Sequence, residues 1–205
     1  MKFISWNIDG VNAMSRNINF ANHLLRWKAD IIAIQETKTF TKDKRLLFPG
    51  YYDYWSFHET CRLPTAQSGT MVLTRHKPRK ISTSFPDDPG FDTEGRLIIL
   101  EFDFYYFVNV YVPNSQDDVA GRSKERSLVR KDYRIRFDSL LNDCVKKMNE
   151  EKYVILCGDF NAAISSKDMS QNSKWQDKEG FSKDANADLK QLEEFGLLFC
   201  IGRAL

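Results

Sequence analysis

Three stretches of the chain end an apolar run on acid and amide side chains. "FISWNIDG" closes on Asn7 and Asp9, "DIIAIQETK" on Gln35, Glu36 and Lys38, and "YVILCGDFN" on Asp159 and Asn161. Carboxylate and amide oxygens are hard donors that suit Mg²⁺ or Mn²⁺. Asp, Asn and Gly are also ordinary turn formers where strands stop. Glu is not, and three carboxylates gathered at one sheet edge repel unless a cation or a proton neutralises them. If the three strands are neighbours in one sheet, Asn7, Asp9, Glu36, Asp159 and Asn161 meet in the crevice at their C-terminal ends, where α/β sheets hold ligands.

A fourth motif, "NVYVPNS", puts Tyr111 after a β-branched run, stops the strand at Pro113 and offers the Asn114 amide beyond it. The same pattern also describes an ordinary strand with a proline stop. The next segment is basic, with Arg122, Lys124, Arg126, Arg130, Lys131, Arg134 and Arg136 against Glu125, Asp132 and Asp138. Such a run is either a solvated helix face or a set of phosphate contacts that position a nucleic acid without reading its sequence. "RHKPRK", residues 75 to 80, is a second basic patch open to both readings.

The elements that must position these groups follow from hydrophobic period. Alternating or continuous apolar runs predict strands over Lys2 to Ile8, Asp30 to Gln35, Thr70 to Arg75, Arg96 to Asp103, Tyr105 to Val112 and Tyr153 to Cys157. Phe20, Leu24 and Trp27 mark one amphipathic helix, and Phe137, Leu141, Val145 and Met148 mark a second. A third, shorter helix is expected from about Ala185 to Phe195, stopped by Gly196, after a polar surface loop over Ser165 to Lys183. The segments Leu97 to Phe102 and Phe104 to Val112 are separated by little more than Asp103 and therefore read as an antiparallel hairpin. Mixed pairing with helices outside predicts an α/β sandwich in a single domain spanning 1–205.

Composition sets the outer limits. At 205 residues, 42% hydrophobic, the chain can bury one sizeable core, and a net charge of +2 neither demands nor excludes a polyanionic partner. No stretch approaches the ~20 apolar residues of a membrane span, and the start lacks the pattern of a signal peptide, so the expectation is a cytoplasmic protein. Cys61, Cys144, Cys157 and Cys200 are scattered without a C-x-x-C pair and read as reduced, mostly buried thiols.

Taken together, "ISWNIDG", "DIIAIQETK", "SGTMVLTR", "EGRLIILEF", "NVYVPNS", "YRIRFD" and "VILCGDFNAA" resemble, in order and spacing, the exonuclease III group of apurinic/apyrimidinic endonucleases within the exonuclease, endonuclease and phosphatase superfamily. The resemblance runs from residue 2 to about 196. It implies an α/β fold, a four-layered α/β sandwich of the DNase I-like type, and Mg²⁺- or Mn²⁺-dependent hydrolysis of phosphodiesters in double-stranded DNA, at abasic sites or 3′ ends, by a monomer. By position, Glu36 resembles the main metal ligand, with Asp9 and Asn7 beside it. Asp159 resembles the residue that orients or deprotonates the attacking water, held by Asn161. Tyr111 and Asn114 resemble binders of the scissile phosphate, and Arg96 of "EGR", Lys38 and Arg122 fall with the substrate-binding groups.

Two departures accompany the resemblance. Gln67 in "TAQSGT" stands where the family carries an aromatic residue, and the family's later "WRLDY" and "SDH" segments do not occur in these residues, whose histidines are His23, His58 and His76. Sandwiches of this kind run to roughly 250 residues, so the expectation is a shortened form lacking its C-terminal strands, with "FGLLFCIGRAL" leaving the family pattern after Gly196. Without the Asp-His pair, activity is expected to fall by about two to four orders of magnitude. The alternatives are a catalytically impaired DNA-binding protein, or a related phosphoesterase such as a retroelement endonuclease or a lipid or nucleotide phosphatase. "YVPN", "EGR" and the basic helix favour the nuclease over the latter.

Overall fold

Strand β2 (Ile31–Gln35) is buried along its whole length, because each of its two faces has a layer to cover. Its side chains alternate as a strand requires. Ile32 and Ile34 join a cluster with Phe20 and Leu24 of a helix, while Ile31 and Ala33 join a second with Ile98, Leu100 and Phe107 of the opposite sheet. A third cluster, on the far side of that sheet, packs Val108, Val110 and Leu156 against Phe137, Leu141 and Val145. Three clusters between successive layers make a helix, sheet, sheet, helix sandwich, the four-layered α/β arrangement expected from the sequence. The computed structural model describes residues 1–17, 20–42, 46–59, 67–114, 124–162 and 198–201.

The first sheet contains β1 (Phe3–Asn7), β2, β3 (Tyr52–Ser56) and β4 (Thr70–Thr74), in the order β1-β2-β4-β3. Helices α1 (Val11–Asn17) and α2 (Phe20–Arg26) supply its outer layer. The second sheet contains β5 (Lys80–Ser82), β6 (Leu97–Glu101), β7 (Tyr105–Tyr111), β8 (Tyr153–Asp159) and β9 (Leu198–Ile201), in chain order, with α3 (Lys124–Glu151) outside it. β6 and β7 form the expected hairpin, closed by Phe102 N–H donating to the Tyr105 carbonyl at 2.9 Å. The apolar stripe of α3 is the one read from the sequence, each residue contributing roughly 1.5–3 kcal/mol on burial. The helix itself starts well before that stripe, at Lys124.

One expectation is corrected here. The strands that carry the acids are not neighbours in one sheet: β1 and β2 pair in parallel in the first, and β8 pairs with β7 in the second. Within the terminal apolar run, Leu198–Ile201 pairs in parallel with β8, Ile155 opposite Leu198 through Gly158 opposite Ile201. "RHKPRK" lies at the wrong end to serve the acids. β4 runs antiparallel to β2, so Arg75 N–H reaches the Asp30 carbonyl at 3.0 Å, at the start of β2 rather than at its end. Two of its cations are also engaged locally, Arg75 over the Tyr51 ring and Arg79 with Asp103.

Between the sheets sits one polar clip. Asn109, fully buried on β7, donates to the Ile34 and Met71 carbonyls at 3.1 and 3.0 Å and accepts from Gln35 Nε2 at 2.6 Å. A buried amide left unpaired costs about 1–3 kcal/mol, so these bonds favour one spacing and register between the layers. The expected polar loop at 165–183 and helix at 185–195 lie outside the described residues, as does Cys61. Cys144 and Cys157 are buried thiols outside any disulfide, as expected, and burial pushes the Cys144 thiol up to about 11. Among the described residues no helix is long and apolar enough to cross a membrane.

Candidate active site

The acids meet across the sandwich. Asn7 ends β1 opposite Gln35, which places Glu36 one residue beyond β2 on the same side, and Asp159 ends β8 opposite Tyr111 of β7. With the sheets face to face, one amide nitrogen spans them: Asn7 Nδ2 donates to Glu36 Oε1 and to Asp159 Oδ2, both at 2.7 Å. Its own Oδ1 accepts the Asp9 N–H at 3.1 Å. Asn7, Asp9, Glu36 and Asp159 are thus brought together as expected, but by two sheets rather than one.

The backbone around them is tied and strained. Gly10 and Val11 N–H groups donate to the Glu36 and Thr37 carbonyls at 2.8 and 2.9 Å, while Thr37 and Lys38 N–H groups donate to Gly69 and Ser68 at 3.0 and 2.9 Å. The "QETK" turn is therefore stitched between "NIDG" and "QSG". Asp9, Glu36, Lys38 and Asn161 all have positive φ, between 46° and 54°. Such conformations cost of order 1–3 kcal/mol each in residues other than glycine and persist where the surroundings over-determine them. Gly158 explains the glycine of "GDFN": a Cβ there would stand 1.9 Å from the Val110 carbonyl oxygen, and its φ is +147°.

Lys38 offsets part of the acidic charge. The Lys38 ammonium lies 2.9 Å from Glu36 Oε2 and also contacts Asp9 Oδ1. Burial works against its charge, but the hydrogen bonds to Asp9 and Glu36 outweigh it and hold the proton more firmly than usual. Asp9 is 84% exposed at its side chain and Glu36 only 18%, so Glu36 is the fixed acid and Asp9 the accessible one. Burial first, and the Glu36 carboxylate next, push the Tyr111 phenol well above its ordinary range. At neutral pH it is a hydrogen-bond donor aimed at Glu36.

The donor set fits a hard divalent cation. All its candidate atoms are carboxylate or amide oxygens, and the Lys38 ammonium already places a positive charge between Asp9 and Glu36. Among the described residues no three His, Cys, Asp or Glu side chains converge as a metal cage. Mg²⁺ characteristically keeps several waters and takes one or two carboxylates, which matches Glu36 with Asp9 beside it.

The remaining candidates divide. Asn161 holds Asp159 through its backbone, its N–H donating to Asp159 Oδ1 at 2.9 Å; its side-chain Nδ2 donates to the Val112 carbonyl at 2.7 Å. It holds Asp159, as expected, through its main chain, while its side-chain amide clamps the end of β7. Arg96 is not a surface group for DNA. Its side chain is 5% exposed, donates to the Tyr111 carbonyl at 2.9 Å and lies 4.5 Å from the centre of the Tyr111 ring. Asn114 is half-buried three residues after Tyr111, in the turn leaving β7. Arg122 lies outside the described residues.

Two members of the basic run of α3, Arg130 and Arg134, are engaged inward, while Lys131 and Arg136 stay exposed. Arg134, 8% exposed at its side chain, pairs with Asp138 and donates to the carbonyls of Pro113 and Phe160 at 2.7 and 3.2 Å. It thereby ties "YVPN" to "GDFN". Arg130 grips Glu94 with two nitrogens at 2.7 and 3.1 Å, and Arg136 pairs with Asp88. Sequence reasoning missed Glu94 and Asn109 altogether. An acid directly before "GR" and an amide inside an apolar strand were the available signals, since buried polar groups need partners.

With this geometry in view, comparison with known proteins gives a consistent result. Residues 4–190 match the Endonuclease/Exonuclease/phosphatase family. The chain is 32% identical over 198 residues to an exodeoxyribonuclease of Bacillus subtilis, covering 97% of this chain and 73% of that protein. It is also 32% identical over 198 residues to a DNA-(apurinic or apyrimidinic site) endonuclease of Dictyostelium discoideum, covering 96% and 51%. Among solved structures, a 3′ phosphatase from Neisseria bound to a product DNA hairpin has a TM-score of 0.72 at 22% identity, covering 95% of this chain and 71% of that one. An AP endonuclease from Archaeoglobus fulgidus has a TM-score of 0.66 at 21% identity, covering 93% and 69%; at such identities the likeness speaks for the fold. On its motifs, its layered fold and these relatives, the chain belongs to the endonuclease/exonuclease/phosphatase family, in the branch of exonuclease III and the AP endonucleases.

Proposed function

We propose that this chain is a DNA-repair nuclease that uses a divalent cation, Mg²⁺ or Mn²⁺, to hydrolyse phosphodiesters of double-stranded DNA at abasic sites or 3′ ends. The observation that carries the reading is the Asn7 bridge, which holds two carboxylates from opposite sheets one amide apart. Asp159, fixed through the Asn161 N–H, is the acceptor for the proton of the attacking water. Asn7 keeps that carboxylate at a set distance from Glu36, and Tyr111 and Asn114 offer donors to the scissile phosphate. Lys38 supplies positive charge next to Glu36 and Asp9. When bound there, the cation stabilises charge that develops on the phosphate oxygens.

The test offers the purified chain three duplexes: one with an abasic site, one with a recessed 3′ end and one with a 3′ phosphate. Cleavage of at least one in Mg²⁺, abolished by EDTA, is expected. Salt-sensitive binding to all three without cleavage of any would replace the nuclease with a DNA-binding protein.

A further inference from the structure

Behind Tyr111 runs a line of charges that the reaction itself does not consume. Arg130 of α3 grips Glu94 with both terminal nitrogens, and Glu94 Oε2 also accepts Arg96 Nε at 2.5 Å. The Arg96 guanidinium then stacks on the Tyr111 ring. Main-chain bonds fix the same two residues to each other, Tyr111 N–H donating to the Arg96 carbonyl at 2.8 Å and Arg96 Nη1 to the Tyr111 carbonyl at 2.9 Å. The turn that carries Glu94 and Arg96 is itself pinned, because the Asp92 carboxylate accepts both their N–H groups at 3.0 and 2.7 Å. Gly95 allows the close approach: a Cβ there would lie 2.5 Å from the backbone of Phe57, at a φ of +68°.

We infer that the Arg130–Glu94–Arg96 line is a positioning device that sets the plane of the Tyr111 ring and so aims its hydroxyl at Glu36 and the substrate phosphate. A planar guanidinium is suited to this, since it stacks and donates in fixed directions at once, which an ammonium does not. The charges along the line offset one another, the Arg96 and Arg130 guanidinium groups against the Glu94 and Asp92 carboxylates. Burying Arg96 alone would be costly; Glu94 compensates it, and Arg130 in turn compensates Glu94. Arg130 thus links the helix layer to the orientation of a phosphate-binding tyrosine. The inference rests on the nuclease reading for its consequence, and on geometry for its existence.

The experiment places 3-fluorotyrosine at position 111 of the full 205-residue chain and records its ¹⁹F resonance, together with kcat and KM on the abasic duplex. In the parent chain the resonance is expected to stand apart from that of the free amino acid. Arg96→Met should move it towards the free value and lower kcat by about 10- to 100-fold with KM little changed, the pattern of an interaction realised in the transition state. Arg96→Lys, which keeps the charge and loses the stack, should restore less than half of the ¹⁹F displacement. Arg130→Met, at the more exposed end, keeps the test valid if the buried variant does not fold, and is expected to move the resonance in the same direction by a smaller amount. An unmoved resonance in folded Arg96→Met or Arg130→Met overturns the inference, as does a loss confined to KM. If the parent chain cleaves nothing, the nuclease reading fails while the resonance still decides the positioning role.

Discussion

Asn7 does with one side chain what the sequence distributes over two sheets. Its two amide hydrogens go to two different acids, which leaves no donor on that nitrogen for anything else. Asn7→Ala should therefore leave Glu36 and Asp159 unbridged while keeping the strand, and lower kcat on the abasic duplex by roughly 100- to 1,000-fold, the usual effect of removing one preorganised donor. Single-turnover cleavage at saturating Mg²⁺ measures it, and a rate close to the parent's would show that the bridge is incidental. Residue identity was well exposed at this scale. Asn7, Asp9, Glu36, Lys38, Tyr111 and Asp159 could all be named because acids and amides at strand ends are chemically conspicuous. Arg96 and Arg134 were assigned outward roles because a guanidinium looks the same in a sequence whether it faces solvent or backbone.

At the scale of elements, close approach between strands decides which changes the fold tolerates. β8 can run against β7 at its end only because position 158 has no side chain. Gly158→Ala combines a forbidden φ with a clash against the Val110 carbonyl, and should cost roughly 3 kcal/mol or more, read as a lower urea midpoint. An unchanged midpoint would mean that β8 can shift away from β7 without cost. The strands found by pattern are the long apolar ones. Those missed are β3, whose "YDYWS" mixes polar and aromatic residues on a half-covered edge, β5, which is three residues long, and β9, whose apolar run reads equally as a tail. Helix α1 escaped for a different reason: "VNAMSRN" offers only Val11, Ala13 and Met14 as apolar residues, too few to mark a stripe, whereas α2, of the same length, carries Phe20 and Leu24. Sheet membership was not legible at all, since strand periodicity says nothing about which sheet a strand joins.

At the scale of the molecule, the Glu94 junction between α3 and the second sheet makes stability depend on pH. Burial opposes the charge on Glu94, but Arg96 and Arg130 overcome it and bring the carboxyl from an ordinary 4.5 down to about 2. A carboxyl lowered by folding stabilises the folded state fully above 4.5 and loses that contribution as pH falls towards 2. The amount at stake is on the order of 3 kcal/mol. Asp92, whose carboxyl burial raises, works in the opposite sense and offsets part of the loss. Glu94→Gln should thus lower stability near neutral pH and flatten its decline between pH 4.5 and 2, as followed by urea unfolding at a series of pH values. An equally steep decline in the variant would place the acid sensitivity elsewhere.

The order of strands along the chain adds a constraint of its own. Every strand of the first sheet lies before residue 75 and every strand of the second after residue 79, so the stretch between Thr74 and Lys80 is a seam in the sequence as well as a bend in space. Asn7, Asp9, Glu36 and Lys38 fall on one side of it, and Tyr111, Asn114 and Asp159 on the other. Severed at that seam, each piece would keep its own hydrogen-bonded sheet and only a fraction of the reacting groups. Recovery of cleavage on mixing the pieces would therefore count reassembled molecules, with Asn7 serving as the latch that closes only when both are present.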